Sequence, residues 1–401
     1  MTGTAGAAPT PRSGGTRSSG SRFGDGLAVG PDLEGAAEVA VAQALRGLDG
    51  ARPDLACVFV CPGGRGADAA EAAGRHAVAL LGARTTLGAT AGGVIAEGRG
   101  VEQAPAVAVW AAVLPGASLR PFRLTTERTA AGAEVVGLPQ ARPDERVALL
   151  LADPYSFPAS SVVDRVGTDA PGVPLIGGLA SAPAGTNRLF ADGEVHAEGA
   201  VGLLLGGDVV ARTVVSQGCR PIGPPMVVTR AERNILFELA GAPAYARLAE
   251  IVTGLPPQEQ ELAARGLHLG IAMDEYADEH GRGDFLIRGV VGADPDAGAV
   301  AVGDLVDVGR TVQFQVRDAA AADEELSMLL AEVGAQVRGA LLFSCNGRGT
   351  TMFPSADHDV LAVREGLGVT GVAGFFAAGE IGPVGGRNHL HGFTASVLAF
   401  G

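Results

Sequence analysis

One pattern, used three times, restricts what this chain can fold into more than any other feature. A short apolar and β-branched run is followed by a helix-like stretch, a glycine-rich segment and a further apolar run. The first copy has Leu55–Cys61, a helix over Asp68–Leu81, the glycines of Leu87–Gly93 and the run Ala106–Leu114. The second has Arg146–Leu151, a helix after Pro158, Leu175–Gly178 and Gly199–Leu205. The third has Ala340–Ser344, Val372–Gly379 and Gly392–Phe400. From the end of the first run to the first glycine of the glycine-rich segment the spacing is 27, 24 and 29 residues (Cys61 to Gly88, Asp153 to Gly177, Cys345 to Gly374). Strand–helix–strand units at that spacing predict an α/β fold of mixed (α+β) sheets rather than a β-sandwich. The glycine-rich segments read as turns.

Between the second and third copies the grammar changes. Arg230–Leu255 has a helical pattern, with Ile235, Leu236, Leu239, Tyr245, Leu248 and Ile251 on one face and a break at Pro243. Leu267–Met273, Phe285–Val291, Val306–Val308 and Thr311–Val316 read as strands, and Asp323–Arg338 as an amphipathic helix. Pro221–Pro225 interrupts both periodicities. Two lobes follow: residues 23–225 with two copies, and residues 226–401 with one copy and an antiparallel set. Residues 1–22, rich in Ser, Gly and Thr with Arg12, Arg17 and Arg22 and no acid, read as a disordered tail.

Composition narrows the function. With 44 acidic against 30 basic side chains, the net charge is −14. That disfavours nucleic acid and anionic membrane as partners, since both need clustered positive charge. The sequence contains no lysine, which excludes Schiff-base chemistry, a lysine-anchored pyridoxal cofactor and a Walker-A site; no cofactor is expected. Four cysteines without a C-x-x-C pair predict neither a disulfide framework nor a zinc ribbon, and suit a reducing cytoplasm. No apolar run reaches the roughly 18 residues of a membrane span.

The densest polar signal ends the third opening strand: Ser344, Cys345, Asn346, Gly347, Arg348 and Gly349. Unpaired N–H groups at a strand's carboxyl end, beside an arginine fork, suit a carboxylate or phosphate; the plainer reading is a strand-to-helix turn with a surface arginine. A second signal runs through Gly379, Glu380, Asn388, His389 and His391. Glu380 offers charge for an amine or hydroxyl, and the glycines allow close backbone approach. The histidines lack metal-site spacing and read as hydrogen-bonded side chains. Cys345, with His391 or His389 as base, offers an alternative: a cysteine-dependent hydrolase or acyl-transfer enzyme.

At this point the chain resembles the FIST family (F-box and intracellular signal transduction proteins) over nearly all of Phe23–Phe400. The likeness is carried by Pro53–Phe59, Leu87–Val94 and Leu175–Gly178, and more specifically by Cys345–Gly349, Gly374-Phe375, Gly379–Pro383 and Leu390–Thr394. The resemblance implies a FIST N domain followed by a FIST C domain, a sensory module for a small ligand such as an amino acid, and a signalling partner protein. Nothing resembles a kinase, cyclase, methyl-accepting helix or F-box, so a stand-alone sensor acting by association is expected. Its pocket candidates are Cys345, Asn346, Gly347, Arg348, Gly349, Gly379, Glu380, Asn388 and His391. In this reading Arg348 clamps a ligand carboxylate and Glu380 pairs with its amine.

Overall fold

In the computed structural model, which describes residues 20–129, 132–169, 172–277, 280 and 283–401, the repeat is realised three times with one pairing scheme. Opening strands Leu55–Cys61, Glu145–Ala152 and Gly339–Cys345 each pair parallel with a second strand, Thr85–Thr90, Leu175–Leu179 or Gly371–Ala377. Each also pairs antiparallel with a closing strand, Ala106–Val113, Ala200–Gly207 or Ala395–Phe400. Beyond the closing strands lie Arg22–Val29, Ala117–Thr129 and Ala211–Ser216; the first and last are edge strands, and Gly132–Val136 pairs outside the second. The α/β expectation of mixed sheets is met. Most of the predicted tail, residues 1–19, lies outside the described residues.

The glycine-rich segments are strands, not turns. Gly88, Gly177 and Gly374 sit opposite Val58, Leu150 and Leu342 in the parallel pairs. A Cβ at any of the three would overlap the carbonyl oxygen of that partner. Glycine is needed because two backbones approach there, not because the chain reverses.

After each second strand the chain leaves its own sheet and adds a hairpin to another. Gly93–Ala96 and Arg99–Glu102, from the first copy, extend the third sheet. Leu189–Ala191 and Glu194–His196, from the second, extend the first sheet. Glu380–Val384 and Arg387–His391, from the third, extend the second sheet. The exchange is cyclic, so the three copies form one body. Alternation along the opening strands supports it: Cys57 and Phe59, Leu149 and Leu151, and Leu341 and Phe343 all face one common core. Phe59, Phe343 and Phe375 meet there with centroids 5.1–6.5 Å apart.

Eight helices are described: α1 (Leu33–Arg46), α2 (Ala67–Leu81), α3 (Ala159–Asp169), α4 (Ala244–Gly254), α5 (Pro257–Arg265), α6 (Ala319–Val333), α7 (Gly349–Met352) and α8 (His358–Leu367). The outward residues of the opening strands lie under them: Val58 and Val60 beneath α1 and α2, Ala340 and Leu342 beneath α6 and α8, Ala148 and Leu150 beneath α3.

The antiparallel set is an insertion between the edge strand Ala211–Ser216 and α6. Thr311–Arg317 pairs with both Met226–Glu232 and Leu267–Ala272, which closes the sheet into a barrel around Val228, Leu236, Leu269, Phe314 and Val316. The third copy therefore packs with the first two rather than with the barrel. The helix predicted over Arg230–Leu255 begins only at Ala244. Before it, Met226–Glu232 and Ile235–Leu239 form a hairpin turning at Arg233, whose φ is +56°. The strand expected at Val306–Val308 lies instead at Ala299–Val302. No described helix is long and apolar enough to cross a membrane.

Candidate functional site

The third opening strand ends in Ser344 and Cys345, after which the chain turns through Asn346 and Gly347 into α7. Arg348 is fully buried here. Its Nε donates to Asp359 Oδ2 at 2.8 Å and its Nη2 to Asp359 Oδ1 at 2.9 Å, while Nη1 reaches the Phe393 carbonyl at 3.4 Å. Ser344 Oγ donates to the same carboxylate at 2.6 Å. Burial alone would lift the Asp359 pKa; the Arg348 charge outweighs it and holds the carboxyl well below the usual carboxylate range. The fork expected to clamp a ligand carboxylate is thus filled by the protein's own.

The two glycines flanking Arg348 are also filled. A Cβ at Gly347 would strike the Phe393 ring, and one at Gly349 the Glu102 carboxylate. Glu102 belongs to the hairpin exchanged from the first copy, and it accepts from Thr350 N and Oγ1 at 2.9 and 2.7 Å. Phe393 has φ +65°, an uncommon setting for a bulky residue, and this turn holds its ring on Gly347.

Glu380 opens the hairpin that the third copy sends to the second sheet. It is fully buried, and its Oε2 accepts from Thr394 N at 3.0 Å, whereas Oε1 finds no hydrogen bond among the described residues. Burial pushes its carboxyl up to about 8. Cys345 lies beside it, 4% exposed, and its Sγ accepts from Gly347 N at 3.4 Å. Burial and then the Glu380 charge push this thiol up to about 12, so it is a protonated thiol at neutral pH and a poor nucleophile. His391 pairs across the hairpin with Glu380, but its ring Nε2 bonds the Gly382 carbonyl at 3.0 Å. Burial lowers its pKa to about 3.

Cys345, Gly347, Arg348 and Glu380, with His391 in register across from Glu380, therefore gather in one buried knot. The remaining candidates do other work. Asn346 is exposed. Gly379 accepts through its carbonyl from Leu179 N at 2.8 Å. Asn388 accepts from Leu175 N at 2.8 Å and donates to Val173 O at 3.1 Å, which fastens the exchanged hairpin to the second sheet.

Open space adjoins the knot. A cavity of about 430 Å³ lies between the barrel and the three-sheet body, lined by Ser160 and Asp164 of α3, by His389, His391 and Phe393, and by His268, Arg288 and Asp304 from the barrel side. Arg288 spans it: Nε meets Asp304 Oδ2 at 2.6 Å, and Nη1 donates to the Leu390 carbonyl at 3.2 Å on the opposite wall. Burial, then nearby Arg288 and Arg387, lower the His389 pKa to about 4. His268 falls to about 4 by burial and by Arg317; Arg317 stacks over the Phe393 ring, whose edge relation to His268 spans 5.5 Å. Arg288, Asp304, His268 and Phe393 were not among the sequence candidates. Only Phe393 stood within a motif read from sequence; His268 and Arg288 stand in ordinary strand patterns and Asp304 in the bend after Ala299–Val302, and only the fold brings them to this cleft.

Comparison with known proteins adds two findings. The family model for the FIST N domain matches residues 54–242, and that for the FIST C domain matches residues 243–383. The uncharacterized protein Rv0628c of Mycobacterium tuberculosis is 46% identical over 392 residues, covering 94% of this chain and 99% of that protein. The uncharacterized protein Mb0898c of Mycobacterium bovis is 43% identical over 387 residues, covering 94% and 98%.

Proposed function

The chain belongs to the FIST family, carrying its N and C domains in tandem, and from that premise we propose that it is a stand-alone sensory protein whose small ligand sits in the cleft between the barrel and the three-sheet body. FIST membership implies a sensory role in signal transduction; the finer reading concerns where the ligand goes and what it is. The carrying observation is the bridge made by Arg288, which is anchored on the barrel and donates to the Leu390 carbonyl of the body. A molecule entering there meets opposite charges within one cavity of the usual small-ligand size. Arg288 suits a carboxylate, Asp304 an amine, and the neutral imidazoles of His268 and His389 supply uncharged hydrogen-bonding groups. A zwitterion such as an amino acid matches that set.

In this reading Arg348 and Glu380 shape the site from beneath. Phe393 connects the two levels: its ring lies on the cleft wall, and its carbonyl accepts from Arg348. Ligand that draws Arg288 off Leu390 alters how the barrel is held against the body, and a partner protein could read that change. We place the protein in the cytoplasm on its cysteine use and charge.

The test is calorimetry and thermal shift against an amino-acid panel, with Arg288→Ala and Asp304→Asn beside wild type. Binding that weakens at least tenfold in both variants supports the site. Binding that is unchanged in both moves the ligand elsewhere, and a panel without any binder removes the amino-acid class.

A further inference from the structure

The threefold exchange is unequal in one respect, and the inequality leaves a cavity. In the first sheet α1 lies across the edge and closing strands, beside α2; in the third, α6 lies on the edge strand beside α8. Among the described residues the second sheet has α3 alone. Where the other two copies place a helix before the opening strand, this copy has the short strand Gly132–Val136 and an irregular stretch over residues 137–144. The seat that α1 and α6 occupy in their own sheets is an open cavity of about 590 Å³ here.

We infer that this seat is a second binding site, for a small amphiphile with an apolar body and one anionic end. Its floor is Leu124, Leu150 and Leu204, with Val162 of α3 at the side, all buried. Leu138 and Pro139 of the irregular stretch cover part of it. Apolar side chains that line open space of this size mark a binding site for a small molecule. A space of about 590 Å³ is in the size range of small-molecule sites, and Leu138 and Pro139 already lie over part of the floor, so the occupant is a small molecule and not a helix supplied by another chain. The exposed rim carries Arg165, whose Nη1 donates to Val135 O at 3.4 Å, and Gln140. A guanidinium at the rim of an apolar chamber fits a carboxylate or sulfonate head. The site is separate from the charged cleft, and α3 stands between them: Val162 and Val166 line the apolar cavity, Ser160 and Asp164 the cleft.

The probes are 1-anilinonaphthalene-8-sulfonate, displaced by decanoate, and neutral 1-aminoanthracene. Saturable binding of one sulfonate probe per folded chain is expected. Leu204→Trp and Ala148→Phe, which fill the cavity from two strands, should each weaken it at least tenfold while thermal unfolding stays cooperative. Arg165→Gln, at an exposed position that leaves the core intact, should weaken the sulfonate probe several-fold and leave 1-aminoanthracene unchanged. Arg288→Ala should leave both probes unchanged, which keeps this site distinct from the cleft. Wild-type affinity in a folded, cavity-filled variant overturns the inference. So does an equal response of charged and neutral probes to Arg165→Gln, or displacement by a peptide of the α1 sequence, which would make the seat a helix-docking surface.

Discussion

Arg348 and Asp359 form a two-pronged ion pair, 2.8 and 2.9 Å, in which neither side chain has more than 3% of its surface exposed. A pair this deep is costly to break on one side, because the surviving charge is left in a dry interior. Arg348→Met should therefore destabilise the protein by about 3–5 kcal/mol, and Asp359→Asn by a similar amount. Replacing both together (Arg348→Met with Asp359→Leu) should recover much of the loss, since no charge is then stranded. Urea unfolding of the three variants checks this. If the single changes are harmless, the guanidinium is available to a ligand after all. The depressed Asp359 carboxyl adds a pH signature: its contribution is complete above the ordinary carboxylate pKa and disappears only as pH falls through its own lower value.

Glu380 should show the opposite sign. Burial raises its folded pKa to about 8, above the value in an unfolded chain, so the folded state holds the proton more tightly. Stability from this group is complete below the unfolded pKa of about 4.3 and declines as pH rises toward 8, by at most about 1.4 kcal/mol per pH unit. Glu380→Gln keeps a carbonyl for Thr394 N and removes the titration. It should melt higher than wild type at pH 8, with the difference shrinking toward pH 5. A melting difference that is flat with pH would mean the carboxylate is ionised throughout.

How much of this was readable beforehand follows from what kind of information each feature carries. The triple unit was legible because strand and helix periodicities are local, and its spacing alone marked Gly88, Gly177 and Gly374 as equivalent. Their meaning was not legible: a glycine that relieves a clash with a neighbouring strand looks in sequence like one that permits a turn. The exchange of hairpins involves pairs such as Phe375 with Val94, far apart in the chain, and left no local trace. In the site, the polar density around Cys345–Gly349 and Glu380 reads in sequence as a ligand pocket, whereas the fold buries Arg348 and Glu380 among the protein's own partners. What fills it is not legible, because nothing local pairs Asp359 with Arg348 or sets Glu102 of the exchanged hairpin against Gly349. The cleft was missed for the same reason, since Arg288 and Asp304 belong to an inserted barrel.

The thiol is the residue on which the enzyme alternative rests. Cys57, Cys61, Cys219 and Cys345 are all free and buried, and burial raises the pKa of each. With a thiolate scarce at neutral pH, native protein at pH 7.5 should react with a disulfide reagent only on the timescale of unfolding, and denatured protein should give all four thiols at once. A single fast-labelling site in native protein, identified by peptide mapping as Cys345, would restore nucleophilic chemistry to consideration.

The three equivalent glycines allow a test of the fold itself. Each second strand lies so close to its opening strand that a methyl group at Gly88, Gly177 or Gly374 would collide with backbone, which cannot move aside as a side chain can. Alanine at any of the three should cost more than about 2 kcal/mol, in the range of overpacked cores, and most at Gly177, where a φ of +147° adds backbone strain to the collision. Gly167, within α3, is the contrast: a Cβ there meets nothing within 4 Å and the backbone is helical. Gly167→Ala should stabilise the protein by about 0.5–1 kcal/mol through helix propensity. Chemical denaturation of the four variants decides it. Mild losses at all three strand glycines would mean the paired strands have room to separate, and the cyclic exchange built on their close approach would have to be redrawn.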